Sequence, residues 1–338
     1  MQRVVQRVIS YKYLPLNPSS LIEGAAIPFD CYIKRFGDYV IIIEAGTIIS
    51  KNLLDKIDKN GVIYILKHDT EKLKVYREPY ENGNEIILHG LHTEEMVDTV
   101  SKMSHMLSQI NGLDEKLEVV YSVTSNLLEA IFNKKDEKLP LEAIQESATQ
   151  LVEHVSIDVK TIHVMLNRMP TDYTTHNHST NVAFLSVILG KALGLTKEAL
   201  VEIAFAGLMH DIGKIRIDKE MLLKPGPLDE DEYELVKGHS DAGYGILLDN
   251  GITNQKILYG VRFHHEKLDG SGYPQGLRGK MISVFARILG ICDVFDALTT
   301  KRTFRTNYTS FEALLLMKKE MNSQLDESYI DAFIRLLR

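Results

Sequence analysis

The chain has 338 residues, 44% of them hydrophobic and 25% charged, with a formal net charge of −7. That is room for two domains with an ordinary apolar core, and a mildly acidic balance excludes broad nucleic-acid binding, which needs a basic stripe. Cys31 and Cys292 lie far apart and outside any C-x-x-C pair, so they build no disulfide framework and suit a reducing cytoplasm.

The opening stretch "MQRVVQRVISYKYLPL" is broken by polar residues and carries no small-residue cleavage site, so it does not read as a signal peptide. Apolar runs such as Tyr39 to Ile43 fall far short of the ~20 residues of a membrane span. A soluble, cytoplasmic protein without a membrane span is expected. "FDCYIKRFGDYVIIIEAG" predicts two strands around a turn at Gly37-Asp38. "SKNLLDKIDKNG" predicts a short helix capped by Ser50, and "VIYILKHD" and "KLKVYREPY" predict two further strands. These elements make a small α/β module over 1–82, with no Gly-rich phosphate loop and no acidic phospho-acceptor cluster, read as regulatory or structural.

Residues 83–169 change texture to helix. Met96, Val100, Met103, Leu107 and Ile110 step by four and three, as in a coiled-coil seam, and Asn111-Gly112 interrupts them. Helix resumes through Leu117, Val120, Leu127 and Ile131, and again from Leu141 after a polar break. Such a stripe serves either a helical hairpin packed on its own domain or a homodimer seam over 93–135. From residue 170 one helix follows another: Thr196 caps one, Asp229 and Glu232 have capping-box spacing, "TNQKILYGVRFHH" forms a third, and Ser283 caps "SVFARILGICDVFDALTT". The fold class is therefore mainly α, with an all-α domain over 170–338.

Five of twelve histidines fall in this half beside other unusual polar residues: His178, His210, His239, His264 and His265. Asp211 follows His210 at the end of an apolar helix, and Lys214 projects from the same corner, suited to an anionic oxygen. Asp293 sits among Ile291, Cys292, Val294 and Phe295, where an unpaired carboxylate would cost several kcal/mol, and Asp296 shares its helix face. Each of these alone is as well explained by capping or a satisfied core histidine. Together, seven imidazole and carboxylate groups on five successive helices exceed the needs of one ion and fit two, bridged by a carboxylate. With no thiolate among them, Fe, Mn, Co, Ni and Zn are all admissible. His68, His89, His92, His105, His154 and His163 carry no such company and read as ordinary residues.

"HDIGK", "HHEKLDGSGYP" and "DVFDALTTKR", in this order, resemble the HD-GYP family of the HD phosphohydrolase superfamily, with "HSTNVA" and "GHSDAGYGIL" in the remaining slots. The resemblance spans about half the chain. It implies an HD-type helical bundle and a metal-dependent cyclic di-GMP phosphodiesterase acting through water activated by two divalent transition metals, iron or manganese first, with zinc, cobalt or nickel as alternatives. It implies His178, His210, Asp211, His239, His264, His265 and Asp293 as metal ligands, Asp211 and Lys214 as catalytic residues, and Lys214, Gly272, Tyr273, Asp296, Arg302 and Arg305 as substrate-facing. Tyr273 is left open between a ligand contact and loop packing, and Glu266 and Asp269 are expected to hold the loop or to stand behind the ligands rather than bind metal directly. A diguanylate cyclase or another signalling protein is a candidate partner. A glutamate that in some family members ligates a third metal is replaced here by Thr174. A two-metal centre is therefore expected, with the linear dinucleotide pGpG as the end product and hydrolysis on to GMP as the alternative. The readings kept beside this one are a nucleotide-binding signalling module without turnover and an HD hydrolase of another cyclic dinucleotide.

Overall fold

A computed structural model describes residues 13–16, 21, 26–35, 38–50, 53–54, 57, 63–66, 69–70, 72–73, 93–133, 138–155, 162, 166, 174–222, 224, 226, 229–300 and 308–336. The chain divides into two units, residues 1–87 and 88–338.

In the first unit, β1 (Tyr13–Leu16), β2 (Cys31–Arg35), β3 (Asp38–Ile43) and β4 (Ile63–Leu66) form an antiparallel sheet in the order β1-β4-β2-β3. β2 and β3 pair antiparallel with Arg35 opposite Asp38, and Gly37 of the expected turn lies outside the described residues. Ile33, Ile43, Ile63 and Ile65 point into a core shared with Ile27, Phe29 and Cys31. One strand was not anticipated and one expectation differs. β1 is a strand although Pro15 interrupts its donors; it sits at the sheet edge, where a missing N–H is tolerated. Lys72 and Leu73, expected to open a strand, are helical, and Lys72 pairs with Asp69 at 2.7 Å one turn back. The rest of that expected strand lies outside the described residues.

The second unit is helical: α1 (Thr93–Gln109), α2 (Leu113–Asn133), α3 (Leu141–His154), α4 (Thr175–Ala192), α5 (Lys197–Met209), α6 (Lys219–Leu222), α7 (Glu230–Lys237), α8 (His239–Asp249), α9 (Gln255–Phe263), α10 (Val284–Thr299), α11 (Ser310–Glu320) and α12 (Glu327–Leu336). Among the described residues the protein is thus mainly α, with its small sheet in the first unit. Caps fix where the helices begin. Thr196, Asp229 and Ser283 accept hydrogen bonds from the backbone N–H three residues on, and Asp229 completes its box with Glu232.

α4 is buried around nearly its whole circumference, so it is the central helix, packed by α2, α5 and α10. The seam residues Val100, Met103 and Leu107 are buried in the core that also holds Phe184, Phe205 and Phe295, and Ile110 is buried as well. Of the two readings of this stripe, the helical hairpin packed on its own domain covers it within the chain. Helices α1, α2 and α3, within the segment 83–169 read as a linker, likewise share that core with the helices after residue 170. Among the described residues no helix is long and apolar enough to cross a membrane.

Candidate metal centre

His178 sits one turn inside α4, whose start is set by Thr174 capping the backbone N–H of Asn177. His210 and Asp211 lie just past α5, where the chain tightens into a 3₁₀ turn over Ile212–Arg216 rather than running on as helix to Gly213. His239 opens α8, His264 and His265 follow α9, and Asp293 lies in α10. All seven sequence-predicted ligand residues converge. His178, His210 and Asp211 form one close group, and His239, His264 and His265 another, each with donor atoms within 4.8 Å of one another.

Two carboxylates span these groups. Asp211 turns Oδ2 toward His210 Nε2 (3.5 Å) and His178 Nε2 (3.7 Å), and Oδ1 toward His239 Nε2 (3.3 Å). Asp293 turns Oδ1 toward His178 Nε2 (3.1 Å) and Oδ2 toward His265 Nδ1 (3.6 Å). Lys214 donates to Asp211 Oδ2 at 2.5 Å.

The imidazoles are oriented by what lies behind them. Nδ1 of His210, His239 and His264 faces the carbonyl oxygen three residues back, on Gly207, Val236 and Val261, at 2.6–2.8 Å. A carbonyl only accepts, so each Nδ1 carries the proton and each neutral ring turns a bare Nε2 lone pair into the site. Nε2 of His210 is buried with no hydrogen-bond partner, and the Nε2 atoms of His239 and His264 face each other at 3.4 Å. Two opposed lone pairs repel unless a cation takes both. A ring nitrogen tied behind and a bare one in front is the arrangement of metal-ligating histidine, and imidazole with carboxylate suits divalent transition metals.

Burial drives His210, His239, His264 and His265 neutral. It pushes His264 well below its ordinary range, with His265, His210 and His239 adding to the shift. It takes His265 down to about 3, against the opposing pull of Asp293. Burial alone would raise Asp211, but the Lys214 ammonium together with His210, His239 and His178 outweighs it and holds the carboxyl well below the usual range. Burial likewise opposes the hydrogen bond from His178 at Asp293, and again the carboxyl ends well below its usual range. Neutral imidazoles and ionised acids are the states a cation requires.

The chain's comparison with known proteins agrees with this geometry. A family profile described as HD domain matches residues 161–329, half of the 338. This chain belongs to the HD domain family. Its HD-GYP motifs sit within that match. The HD chain is 34% identical over 192 residues to the Cyclic di-GMP phosphodiesterase PA4108 of Pseudomonas aeruginosa, covering 56% of this chain and 46% of that one. It is 34% identical over 241 residues to the 3′3′-cGAMP-specific phosphodiesterase 1 of Vibrio cholerae, covering 70% and 52%. It is 40% identical over 151 residues to the Cyclic di-GMP phosphodiesterase response regulator RpfG of Xanthomonas campestris, covering 44% and 39%. The chain thus spans about half the length of these curated relatives. In fold, this HD protein is similar to Bd1817, a HDG"Y"P protein from Bdellovibrio bacteriovorus, with a TM-score of 0.58 at 19% identity over 96% of this chain and 99% of that one.

The sequence-predicted substrate residues separate. The Tyr273 ring stacks on His265, with centroids 4.6 Å apart and planes at 30°. Burial raises its phenol, so the hydroxyl keeps its proton at neutral pH. Gly272 is held in place by sterics, because a Cβ there would stand 2.4 Å from Lys267 N and 2.5 Å from His265 O. Asp296 is a correction. It is buried behind His178 and accepts from His178 Nδ1 (2.7 Å), Asn181 Nδ2 (2.8 Å) and Thr300 Oγ1 (3.2 Å), leaving it no face toward a substrate. Arg302 and Arg305 lie outside the described residues. Sequence reasoning missed Lys237, whose ammonium lies 4.6 Å from the Tyr233 ring centroid and 5.8 Å from that of Tyr273. The one signal for it was its place two residues before His239.

Glu266 and Asp269 hold the loop, as expected. Glu266 is buried and accepts the N–H of Gln275 (2.7 Å) and Leu277 (2.9 Å), while Asp269 accepts from Ser271. Glu266→Ala orphans two backbone donors and should cost about 2 kcal/mol of stability. The denaturant midpoint of the metal-free protein measures this, and metal uptake should stay as in the wild type.

Proposed function

We propose that this chain is a metal-dependent phosphodiesterase of cyclic dinucleotides, with cyclic di-GMP the substrate and linear pGpG the end product. The observation that carries the reading is the pair of carboxylates, Asp211 and Asp293, each turning one oxygen to each histidine group. His178, His210 and Asp211 would hold one divalent ion and His239, His264 and His265 a second, with Asp211 and Asp293 serving both. Divalent ions held there supply Lewis-acid activation of water and of the scissile phosphate. Iron or manganese fits this imidazole-and-carboxylate set, as do zinc, cobalt and nickel.

The chain's own groups do the rest. Lys214, only 15% exposed, lies against Asp211 and is placed to meet the charge that grows on the phosphoryl oxygens. Tyr273 offers its ring face to a base and its hydroxyl as a donor, and the Gly272 backbone lets it approach. The position where some family members carry a further acidic ligand is occupied by Thr174, whose hydroxyl is engaged in capping α4. That supports two ions and a stop after the first bond is cut.

A second substrate, 3′3′-cGAMP, is favoured by the Vibrio cholerae relative, which aligns over 70% of this chain. The deciding experiment loads the full chain with manganese or iron and follows cyclic di-GMP and 3′3′-cGAMP by product chromatography. Conversion of cyclic di-GMP to pGpG, faster than of 3′3′-cGAMP, is expected. Faster turnover of 3′3′-cGAMP would reassign the substrate, and binding without turnover of either would make the chain a signalling module instead.

A further inference from the structure

A line of hydrogen bonds runs from α2 to the candidate metal centre. Tyr121 Oη donates to Asn181 Oδ1 (2.7 Å), Asn181 Nδ2 donates to Asp296 Oδ1 (2.8 Å), and His178 Nδ1 meets Asp296 Oδ2 (2.7 Å). Its direction is dictated from the acid outward. A carboxylate only accepts, so the amide must turn its NH₂ to Asp296 and its oxygen to Tyr121, whose hydroxyl must then donate. Asn181 and Asp296 are each 1% exposed, so a partner lost from this line is not replaced by water. Four residues and one turn along both helices, Ser125 Oγ donates to Asn177 Oδ1 (2.7 Å), a second polar pair between antiparallel α2 and α4. Tyr121 and Ser125 both precede the HD domain match at residues 161–329.

We infer that Tyr121 is a positioning residue for the metal centre: through Asn181 and Asp296 it fixes which ring nitrogen of His178 faces Asp211 and Asp293. The inference deepens the proposed function and rests on His178 being a metal ligand. The helix that carries Tyr121 thereby has a direct mechanical line to the site, and a slide of α2 along α4 would be read at His178. A partner behind a ligating histidine is worth 10–100-fold in metal affinity when lost. Tyr121 stands two partners further back, so its effect should fall below that range.

The test uses the full chain with Tyr121→Phe, Asn181→Ala and the control Ser125→Ala. Manganese affinity is read by chelator competition. The His178 tautomer is read by ¹⁵N NMR of the metal-free protein. Asn181→Ala should weaken manganese binding on the order of tenfold and Tyr121→Phe by about threefold. Both should change the balance of protons between Nδ1 and Nε2 of His178, which in the wild type face one carboxylate each, and Ser125→Ala should do neither. Wild-type affinity and tautomer in Tyr121→Phe would overturn the inference. So would equal losses in Ser125→Ala, since those would report general loosening of the helix pair. A wild-type chain that takes up no manganese, yet changes its His178 tautomer in Tyr121→Phe, would sink the metal reading and leave the positioning role standing.

Discussion

Asp211→Asn should abolish phosphodiesterase activity, by on the order of 10³-fold or more, without unfolding the protein. Asp211 is the hub of the site: one oxygen serves His178, His210 and Lys214, and the other serves His239. An amide keeps the shape but loses the charge that two cations need. It also brings an N–H₂ to the neighbourhood of His210 Nε2, which is buried and unpartnered. The metal-free variant should therefore melt at or above the wild-type temperature, with Lys214 swinging to solvent. The gain on adding metal should vanish. For the wild type at a metal concentration of 100 Kd that gain is about 2.7 kcal/mol per site, or roughly 5–10 °C. A melting curve with and without manganese separates a lost ligand from a lost fold. Loss of metal response with an unchanged metal-free melting point is the expected pattern.

Gly213→Ala should do the opposite and damage the scaffold itself. Gly213 lies between Asp211 and Lys214, and a Cβ there would stand 1.9 Å from His239 O and 2.6 Å from Gly243 N. Both atoms belong to the backbone of α8, so no rotamer change relieves the clash. The 3₁₀ turn and α8 must part, and with them Asp211 and His239. A loss of about 3 kcal/mol or more is expected, with a fall in melting temperature of roughly 6–12 °C and reduced metal uptake. Gly245→Ala, on the same helix with nothing within 4 Å of its Cβ, should be neutral or raise stability by up to about 1 kcal/mol. Thermal unfolding of the two variants side by side checks the contrast.

Much of the site was legible in the sequence because its signals are local. A capping threonine or serine before an apolar run fixes a helix start within a residue, as at Thr196 and Ser283. The motif order fixes which imidazoles and acids belong together, and all seven converge. What sequence could not supply was direction across space. Asp293 and Asp296 share a helix face, and periodicity cannot say that the His178 ring slots between them, Nε2 to one and Nδ1 to the other. Hence Asp296 read as substrate-facing when it stands behind His178. The apolar stripe of α1 showed that a face must be covered but not by what, since an internal partner and a second chain demand the same residues. Tyr121 and Asn181 meet across sixty positions with no spacing rule to announce it. The strand at Tyr13–Leu16 was hidden by Pro15, which weakens a strand signal yet costs little at an edge.

The central claim is that these seven side chains are a seat for two cations. Elemental analysis of the full chain, purified without chelator and under exclusion of oxygen, tests it most directly when run beside cyclic di-GMP turnover before and after chelation. About two divalent ions per chain are expected, with turnover lost on their removal and restored by manganese or iron. A chain that holds no metal, or one whose hydrolysis of cyclic di-GMP survives exhaustive chelation unchanged, would contradict the account.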